Sequence, residues 1–97
     1  MMRLGFSPTA IDDLLAIGVY IAGDNPERAL TFVDELEAQC LRLTEAPEKG
    51  VRREELLIGL RLWPYRAYNK FYRIDEREVL VVRVLHSSLN AQASDLQ

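Results

Sequence analysis

The chain has 97 residues, of which 48% are hydrophobic and 28% are charged, and its formal net charge at pH 7 is -3. A chain of this length buries one core, so we expect residues 1–97 to form a single domain. One cysteine and one histidine exclude an intrachain disulfide and a zinc site of Cys and His, and we expect no metal and no other cofactor. No stretch approaches the roughly 18 consecutive apolar residues of a membrane-spanning helix, and the first residues lack the apolar run of a secretory signal. We therefore expect a cytoplasmic protein without a membrane partner.

The charge is unevenly distributed along the chain. Residues 1–50 carry four Lys or Arg against nine Asp or Glu, whereas residues 51–97 carry eight against six. Between Leu56 and Ile74 there are four cations and no acidic residue, so we expect this segment to form a positive surface. The four cations are Arg61, Arg66, Lys70 and Arg73.

Two helices are predicted in the first half of the chain. Ser7-Pro8 and Asn25-Pro26 each pair a capping side chain with a proline at the first helical position. The apolar positions of the first helix that recur at three- and four-residue spacing are expected to be buried. They are Ile11, Leu14, Leu15, Gly18, Ile21 and Ala22.

The second helix carries a clearer apolar stripe of Ala29, Phe32, Val33, Leu36, Cys40 and Leu43. Cys40 lies within the stripe, which favours a buried thiol over a reactive one. Leu30 and Leu41 form an edge beside it. This edge is either a wider core contact, which we favour, or a docking strip for a partner.

The second half of the chain is predicted to form strands. Leu57–Trp63, Ala67–Ile74 and Val79–Leu85 are rich in β-branched, aromatic and leucine residues, and residues 75–78 form a polar turn between the last two. Arg3–Phe6 is a candidate for a further strand. The fold is therefore predicted as α+β, with an antiparallel helical hairpin on one face of a small, mainly antiparallel sheet. The other face is expected to contact solvent or a partner.

Strict alternation along the last strand places Leu80, Val82 and Val84 on one face, with His86 following in the same parity. Arg83 then projects from the other face. Arg61 interrupts its own strand in the same way, so we expect these two arginines to meet on the sheet surface that the helices leave open.

The order of several short motifs resembles a known family. These motifs are Ser-Pro before a helix, Asn-Pro-Glu-Arg-Ala, Gly59-Leu60-Arg61, Phe71-Tyr72-Arg73 and Arg83-Val84-Leu85-His86. Over about residues 4–90 they are similar to the ParE branch of the ParE/RelE toxins of type II toxin-antitoxin systems. The resemblance implies a cytoplasmic, non-enzymatic toxin that inhibits DNA gyrase by binding and takes part in plasmid stabilisation. It also implies a ParD-like ribbon-helix-helix antitoxin, which would form a hetero-oligomer with the toxin and provide the only link to operator DNA.

The chain departs from the family pattern at two places. Family members often continue after the histidine with a small residue, Ala, Arg and Asp, where this chain has Ser87 to Asn90. The first helix of the family often carries a tryptophan where this chain has Gly18.

Two alternatives remain beside gyrase inhibition. RelE-like relatives cut messenger RNA on the ribosome, which requires charge compensation at the phosphate and a group that transfers protons. Arg61 and Arg83 provide the charge, but the only side chain that titrates near neutrality, His86, is expected on the core face. We therefore assign no catalytic residue. A non-toxic interaction module on the same fold is the second alternative.

The residues expected to bind the antitoxin or the target are the cations Arg61, Arg66, Lys70, Arg73 and Arg83, together with Leu30, Leu41 and Trp63. For Arg83 an internal ion pair, or stacking on Tyr68 or Tyr72, is equally compatible with the sequence. Trp63, which precedes Pro64, is favoured as a residue at the rim of the core.

Overall fold

Two helices and a five-stranded sheet make up the protein in a computed structural model that describes residues 2–96. The helices are α1 (Pro8–Ala22) and α2 (Pro26–Arg42). The strands are β1 (Arg3–Phe6), β2 (Val51–Arg52), β3 (Leu60–Tyr65), β4 (Tyr68–Asp75) and β5 (Glu78–His86). Their order across the sheet is β1-β5-β4-β3-β2, with β1 parallel to β5 and all other pairs antiparallel. The predicted α+β class and the additional N-terminal strand are confirmed.

Both helices begin where the sequence predicts. The Ser7 hydroxyl accepts a hydrogen bond from the Ala10 N-H at 3.0 Å, and the Asn25 side chain accepts one from the Arg28 N-H at 3.0 Å. In each helix the proline occupies the first turn, where its missing N-H leaves no hydrogen bond unmade. Neither helix of the described chain is long and apolar enough to cross a membrane.

The buried face of α1 differs from the predicted one. Ala10, Leu14 and Ile17 are buried, whereas Ile11 is 49% exposed and Leu15 is 64% exposed. Residues Pro8–Ala22 are apolar on nearly every side of the helix, so their spacing could not single out the side that packs on the sheet. The apolar side chains left over form a surface of their own.

The predicted stripe of α2 is buried at Ala29, Phe32, Leu36, Cys40 and Leu43, and Val33 is half-buried. The interpretation of Leu30 and Leu41 as a wider core contact is wrong, because they are 74% and 52% exposed. The edge formed by Leu30 and Leu41 therefore lies on the surface, where the alternative interpretation placed it.

A β-bulge in β5 overturns the alternation predicted for that strand. Phe71 on β4 pairs with Arg83, but its neighbour Tyr72 pairs with Val81, so Val82 is an extra residue in the ladder. The side chains that join the core under the helices are therefore Val79, Val81 and Val84. Leu80, Val82 and Leu85 belong to the opposite face.

The sheet face away from the helices is covered by the chain itself, contrary to the predicted open surface. Buried Leu60, Phe71, Val82 and Leu85 form a second core there, and Leu56, Leu57 and Ala91 pack against it. A short 3-10 helix, Ala93–Leu96, inserts Leu96 into the same cluster, where it is 4% exposed. Leu57 belongs to the covering loop rather than to β3, which explains why that strand begins three residues later than predicted.

Candidate functional site

An open apolar groove runs between α1 and α2. Its volume is about 710 Å³, and apolar side chains of both helices and Phe6 at the end of β1 line it. Leu15, Val19 and Leu30 on its walls are 64%, 75% and 74% exposed. Contiguous exposed apolar surface of this kind marks an interaction site more often than isolated apolar residues do. The groove is therefore the strongest candidate for a binding site in the described chain.

Gly18 forms part of the groove wall at the place where the two helices approach each other. A Cβ atom added at Gly18 would lie 3.4 Å from Cγ2 of Val33, which is an ordinary van der Waals contact. A larger side chain at this position would extend into the open space of the groove. Gly18 thus leaves room that a partner side chain can fill.

The predicted meeting of Arg61 and Arg83 is wrong. Arg61 lies on β3 and directs its Nη1 to the backbone carbonyls of Glu48 and Gly50, both at 2.9 Å, on the β2 side of the sheet. Arg83 lies on β5, two strands away, and its guanidinium contacts Asp13 of α1 on the β1 side. The two guanidinium groups are therefore directed toward opposite edges of the sheet.

Arg83 forms the internal ion pair that was one of its two predicted roles. Its Nε and Nη2 donate to the two carboxylate oxygens of Asp13 at 2.7 and 2.9 Å, and its Nη1 donates to the Asp95 carbonyl at 2.7 Å. The Asp13 carboxylate also accepts a hydrogen bond from the Val84 N-H at 2.9 Å. The side-chain hydrogen bonds to Asp13 raise the pKa of Arg83, and the negative charges of Asp13 and Asp95 act in the same direction.

The other cations of the predicted positive segment do not share one surface. Arg73 pairs with Leu60, which belongs to the second core, whereas Arg61 pairs with Tyr72, which packs under the helices. Residues directly opposite on neighbouring strands lie on the same face, so Arg61 and Arg73 lie on opposite faces of the sheet. The prediction of one positive surface between Leu56 and Ile74 is therefore wrong.

Arg66 is exposed and Trp63 is half-buried, and both lie on the side of the sheet that the helices cover. Arg66 sits at the tip of the β3-β4 hairpin with a φ angle of 55°, and its guanidinium lies 5.6 Å from the centre of the Tyr65 ring. Trp63 is half-buried, as a residue at the rim of the core would be, and Lys49 Nζ lies 4.6 Å above its ring. Both side chains remain accessible to a partner at their outer edges.

Lys70 is not a surface residue, and its predicted place in a partner-binding patch is corrected. Lys70 lies two residues from both Tyr68 and Tyr72 on β4, so the three side chains share the face of the sheet under α2. The exposed fraction of Lys70 is 0%. Its Nζ has no hydrogen-bond partner within the described residues and lies 5.4 Å from the centre of the Tyr65 ring. Burial lowers the pKa of Lys70 to about 8.

Cys40 is buried, as predicted, and burial raises the pKa of its thiol to about 11, so the thiolate is not formed at neutral pH. Within residues 2–96, no three His, Cys, Asp or Glu side chains are close enough together to hold a metal ion.

His86 ends β5 on the surface. Its Nδ1 lies 2.8 Å from the Ser88 hydroxyl and accepts a hydrogen bond from the Ser88 N-H at 3.1 Å. Its ring packs edge-on against Tyr68 at 5.3 Å between centroids. The expected position of His86 on the core face is wrong, because the side chain is exposed and its ring hydrogen-bonds to Ser88.

The chain resembles known proteins along most of its length. The family model for the ParE toxin of type II toxin-antitoxin systems, parDE, matches residues 4–90. Toxin ParE1 of Caulobacter vibrioides is 37% identical over 67 residues, which are 69% of each of the two chains.

Two solved structures share the fold. A chain of the chromosomal ParDE TA system from P. aeruginosa aligns with a TM-score of 0.78 at 25% identity, over 89% of this chain and 96% of that one. A chain of the toxin-antitoxin complex RelBE2 from Mycobacterium tuberculosis aligns with a TM-score of 0.64 at 26% identity, over 88% and 96%. A helical hairpin on this mixed sheet defines the class of RelE/ParE-like toxins. Within this class, the chain belongs to the ParE toxin family of type II toxin-antitoxin systems.

Sequence reasoning missed the groove because it assigned Ile11, Leu15 and Gly18 to the core. A usable signal was present, since α1 carries more apolar positions than one buried face can accommodate. A helix that is apolar on nearly every side has either a second layer above it or an exposed apolar surface. The described chain contains no second layer over α1.

Proposed function

We propose that this chain is a single-domain, cytoplasmic toxin that inhibits DNA gyrase by binding it and takes part in plasmid stabilisation. A ParD-like ribbon-helix-helix antitoxin neutralises it in a hetero-oligomer and carries the only contact with operator DNA. Membership of the ParE family supports the toxin assignment. The names of the two structural relatives, a ParDE system and a RelBE2 toxin-antitoxin complex, support an antitoxin as the partner.

The observation that carries the choice of mechanism is the separation of Arg61 from Arg83. Cleavage of a phosphodiester needs cations at the phosphate and a proton-transferring group close together. Arg61 is engaged by two carbonyls on the β2 side, Arg83 is engaged by Asp13 on the β1 side, and His86 lies at the exposed end of β5. Inhibition by binding requires no such convergence, so this arrangement supports a binding toxin over an endoribonuclease.

The groove between α1 and α2 supports the proposed neutralisation. An apolar groove between helices is a common site for an amphipathic helix of a partner, which buries its apolar face there. Leu30, one of the residues predicted to bind a partner, stands on the wall of the groove with 74% of its surface exposed. Covering this surface removes the apolar area that favours aggregation of the free toxin.

A direct comparison of two assays tests the mechanism. The purified toxin is added to a gyrase supercoiling reaction and, from the same preparation, to translating ribosomes with a defined messenger RNA. We expect blocked supercoiling or trapped cleaved DNA, and intact messenger RNA. Cut messenger RNA with unaffected gyrase would establish the endoribonuclease alternative instead. A folded toxin that affects neither would support the non-toxic interaction module.

Co-expression tests the proposed partner. The toxin is expressed alone and together with the protein encoded by the adjacent reading frame, and soluble yield and size distribution are compared. We expect a sharp rise in soluble, monodisperse toxin in the presence of the second protein. An equally soluble and monodisperse toxin without it would contradict the proposed covering of the groove.

A further inference from the structure

The groove carries charge as well as apolar surface. Its only charged lining residues within the described chain are Asp34 and Glu37, both exposed and both on α2. No Lys, Arg or His side chain of residues 2–96 lies within 4.0 Å of either carboxylate, so neither forms an internal ion pair. Two further acidic residues of the hairpin, Asp13 and Glu35, are by contrast paired with Arg83 and Arg28.

The two carboxylates lie toward one end of the groove. The hairpin is antiparallel, and Gly18 of α1 faces Val33 of α2. Positions beyond Val33 on α2 therefore run beside positions before Gly18 on α1, and Asp34 and Glu37 flank the half of the groove lined by Leu14 and Leu15. The opposite half is lined by Ala22, Pro26 and Ala29 and carries no charge.

The groove suits a short helix as its occupant. Its α1 wall extends from Ile11 to Ala22, a distance of about 16 Å at the rise of roughly 1.5 Å per helical residue. About three helical turns span this distance. An apolar stripe at three- and four-residue spacing on such a helix would contact both walls at once.

We infer that the antitoxin segment in this groove is an amphipathic helix of about three turns with a lysine or arginine at the end that lies beside Asp34 and Glu37. The inference rests on the proposed function, because it describes the occupant of the proposed antitoxin site. An apolar occupant without a cation would bring these two carboxylates next to a low-dielectric surface without a partner, which disfavours binding. A cation at this end compensates that desolvation and also fixes the direction of the helix in the groove.

Neutralising the two carboxylates tests the inference. The full-length protein encoded by the adjacent reading frame is the probe, and its affinity for Asp34→Asn/Glu37→Gln toxin is compared with its affinity for the unaltered toxin. We expect at least a tenfold loss of affinity and a weaker dependence of Kd on salt concentration. The control is Asp24→Asn/Glu45→Gln, which changes net charge equally at exposed positions outside the groove lining. We expect the control to retain the affinity of the unaltered toxin.

A third variant separates this inference from the proposed binding site. Gly18→Leu places a side chain in the groove without altering charge, and we expect it to weaken binding at least a hundredfold while circular dichroism and thermal unfolding show a folded protein. Loss of binding in Gly18→Leu, with unchanged affinity and salt dependence in Asp34→Asn/Glu37→Gln, would overturn the basic-end inference and leave the groove as the antitoxin site. Stronger binding after neutralisation would overturn it too. Unchanged binding in folded Gly18→Leu would reject the groove itself.

Discussion

Arg83 and Asp13 join the last strand to the first helix through two hydrogen bonds, from Nε at 2.7 Å and from Nη2 at 2.9 Å. The contact lies where β1 has ended, so β5 has no strand neighbour on that side at Val84. Asp13 supplies the missing acceptor for the Val84 N-H at 2.9 Å. One carboxylate therefore takes the place of a strand partner and anchors α1 to the sheet.

We expect Asp13→Ala to lower the free energy of unfolding by roughly 3 kcal/mol, because it leaves a half-buried arginine and a backbone N-H without their acceptor. Urea denaturation followed by circular dichroism measures the change. Asp12→Ala is the control. Because the neighbouring Asp12 is exposed, its replacement should lower the free energy of unfolding by less than about 0.5 kcal/mol. Similar small losses in both variants would contradict a structural role for the ion pair.

The sequence predicts those parts of the fold that depend on local signals. Ser7 and Asn25 mark the helix starts because capping is a local interaction, and the α2 stripe is read correctly because its other face is polar. The β-bulge at Val82 has no signal in the composition of β5, yet it decides on which face every later side chain lies. The groove between α1 and α2 was not predicted from the sequence for a related reason. The buried face of α1 is chosen by long-range contacts with β5, and those contacts leave Leu15 and Val19 outside.

The buried Lys70 lowers the free energy of unfolding, and Lys70→Met should raise it. Burial lowers the pKa of the folded-state amine to about 8 from its ordinary 10.5, so the charged form is disfavoured in the folded protein. Linkage converts this difference to roughly 3 kcal/mol of destabilisation at pH 7. Thermal or urea unfolding of Lys70→Met at pH 7 should therefore show a gain of about this size.

The gain should depend on pH in one direction. Below pH 8 Lys70 is protonated in both states and the cost is complete, whereas between pH 8 and 10.5 the folded protein loses the proton first and the cost disappears. The advantage of Lys70→Met over the unaltered protein should shrink across this range. The raised pKa of Cys40 acts in the opposite direction above pH 9, and Lys70 itself lowers the pKa of Cys40, so the comparison is clearest between pH 8 and 9. A difference that is constant with pH would contradict a buried, charged Lys70.

Gly18→Ala should stabilise the protein by up to about 1 kcal/mol. Alanine restricts the unfolded chain and favours the helical conformation, and its Cβ would meet only Val33 Cγ2 at an ordinary 3.4 Å. Thermal unfolding measures the gain. A loss of stability would show that α1 and α2 are closer at this point than the structure places them.

Gly50→Ala should have the opposite effect, with a loss of roughly 1 to 3 kcal/mol. The Tyr72 hydroxyl donates to the Pro47 carbonyl at 2.7 Å and accepts from the Gly50 N-H at 2.9 Å, so a Cβ at Gly50 would collide with it. Moving Tyr72 would break both hydrogen bonds inside the core. The same substitution at Gly18 serves as the matched control in the same unfolding experiment. Equal stability of the two variants would contradict the close contact at Gly50.

His86→Gln distinguishes a structural histidine from a catalytic one. The change removes the edge-on contact with Tyr68 and alters the acceptor for the Ser88 N-H at the exposed end of β5. We therefore expect a loss of about 0.5 to 1.5 kcal/mol in the free energy of unfolding, and no change in the proposed gyrase inhibition by the folded variant. Urea denaturation and the supercoiling assay, performed on the same sample, measure the two quantities independently. A catalytic histidine would reverse the pattern, because glutamine cannot transfer a proton near neutral pH, and the variant would be stable but inactive.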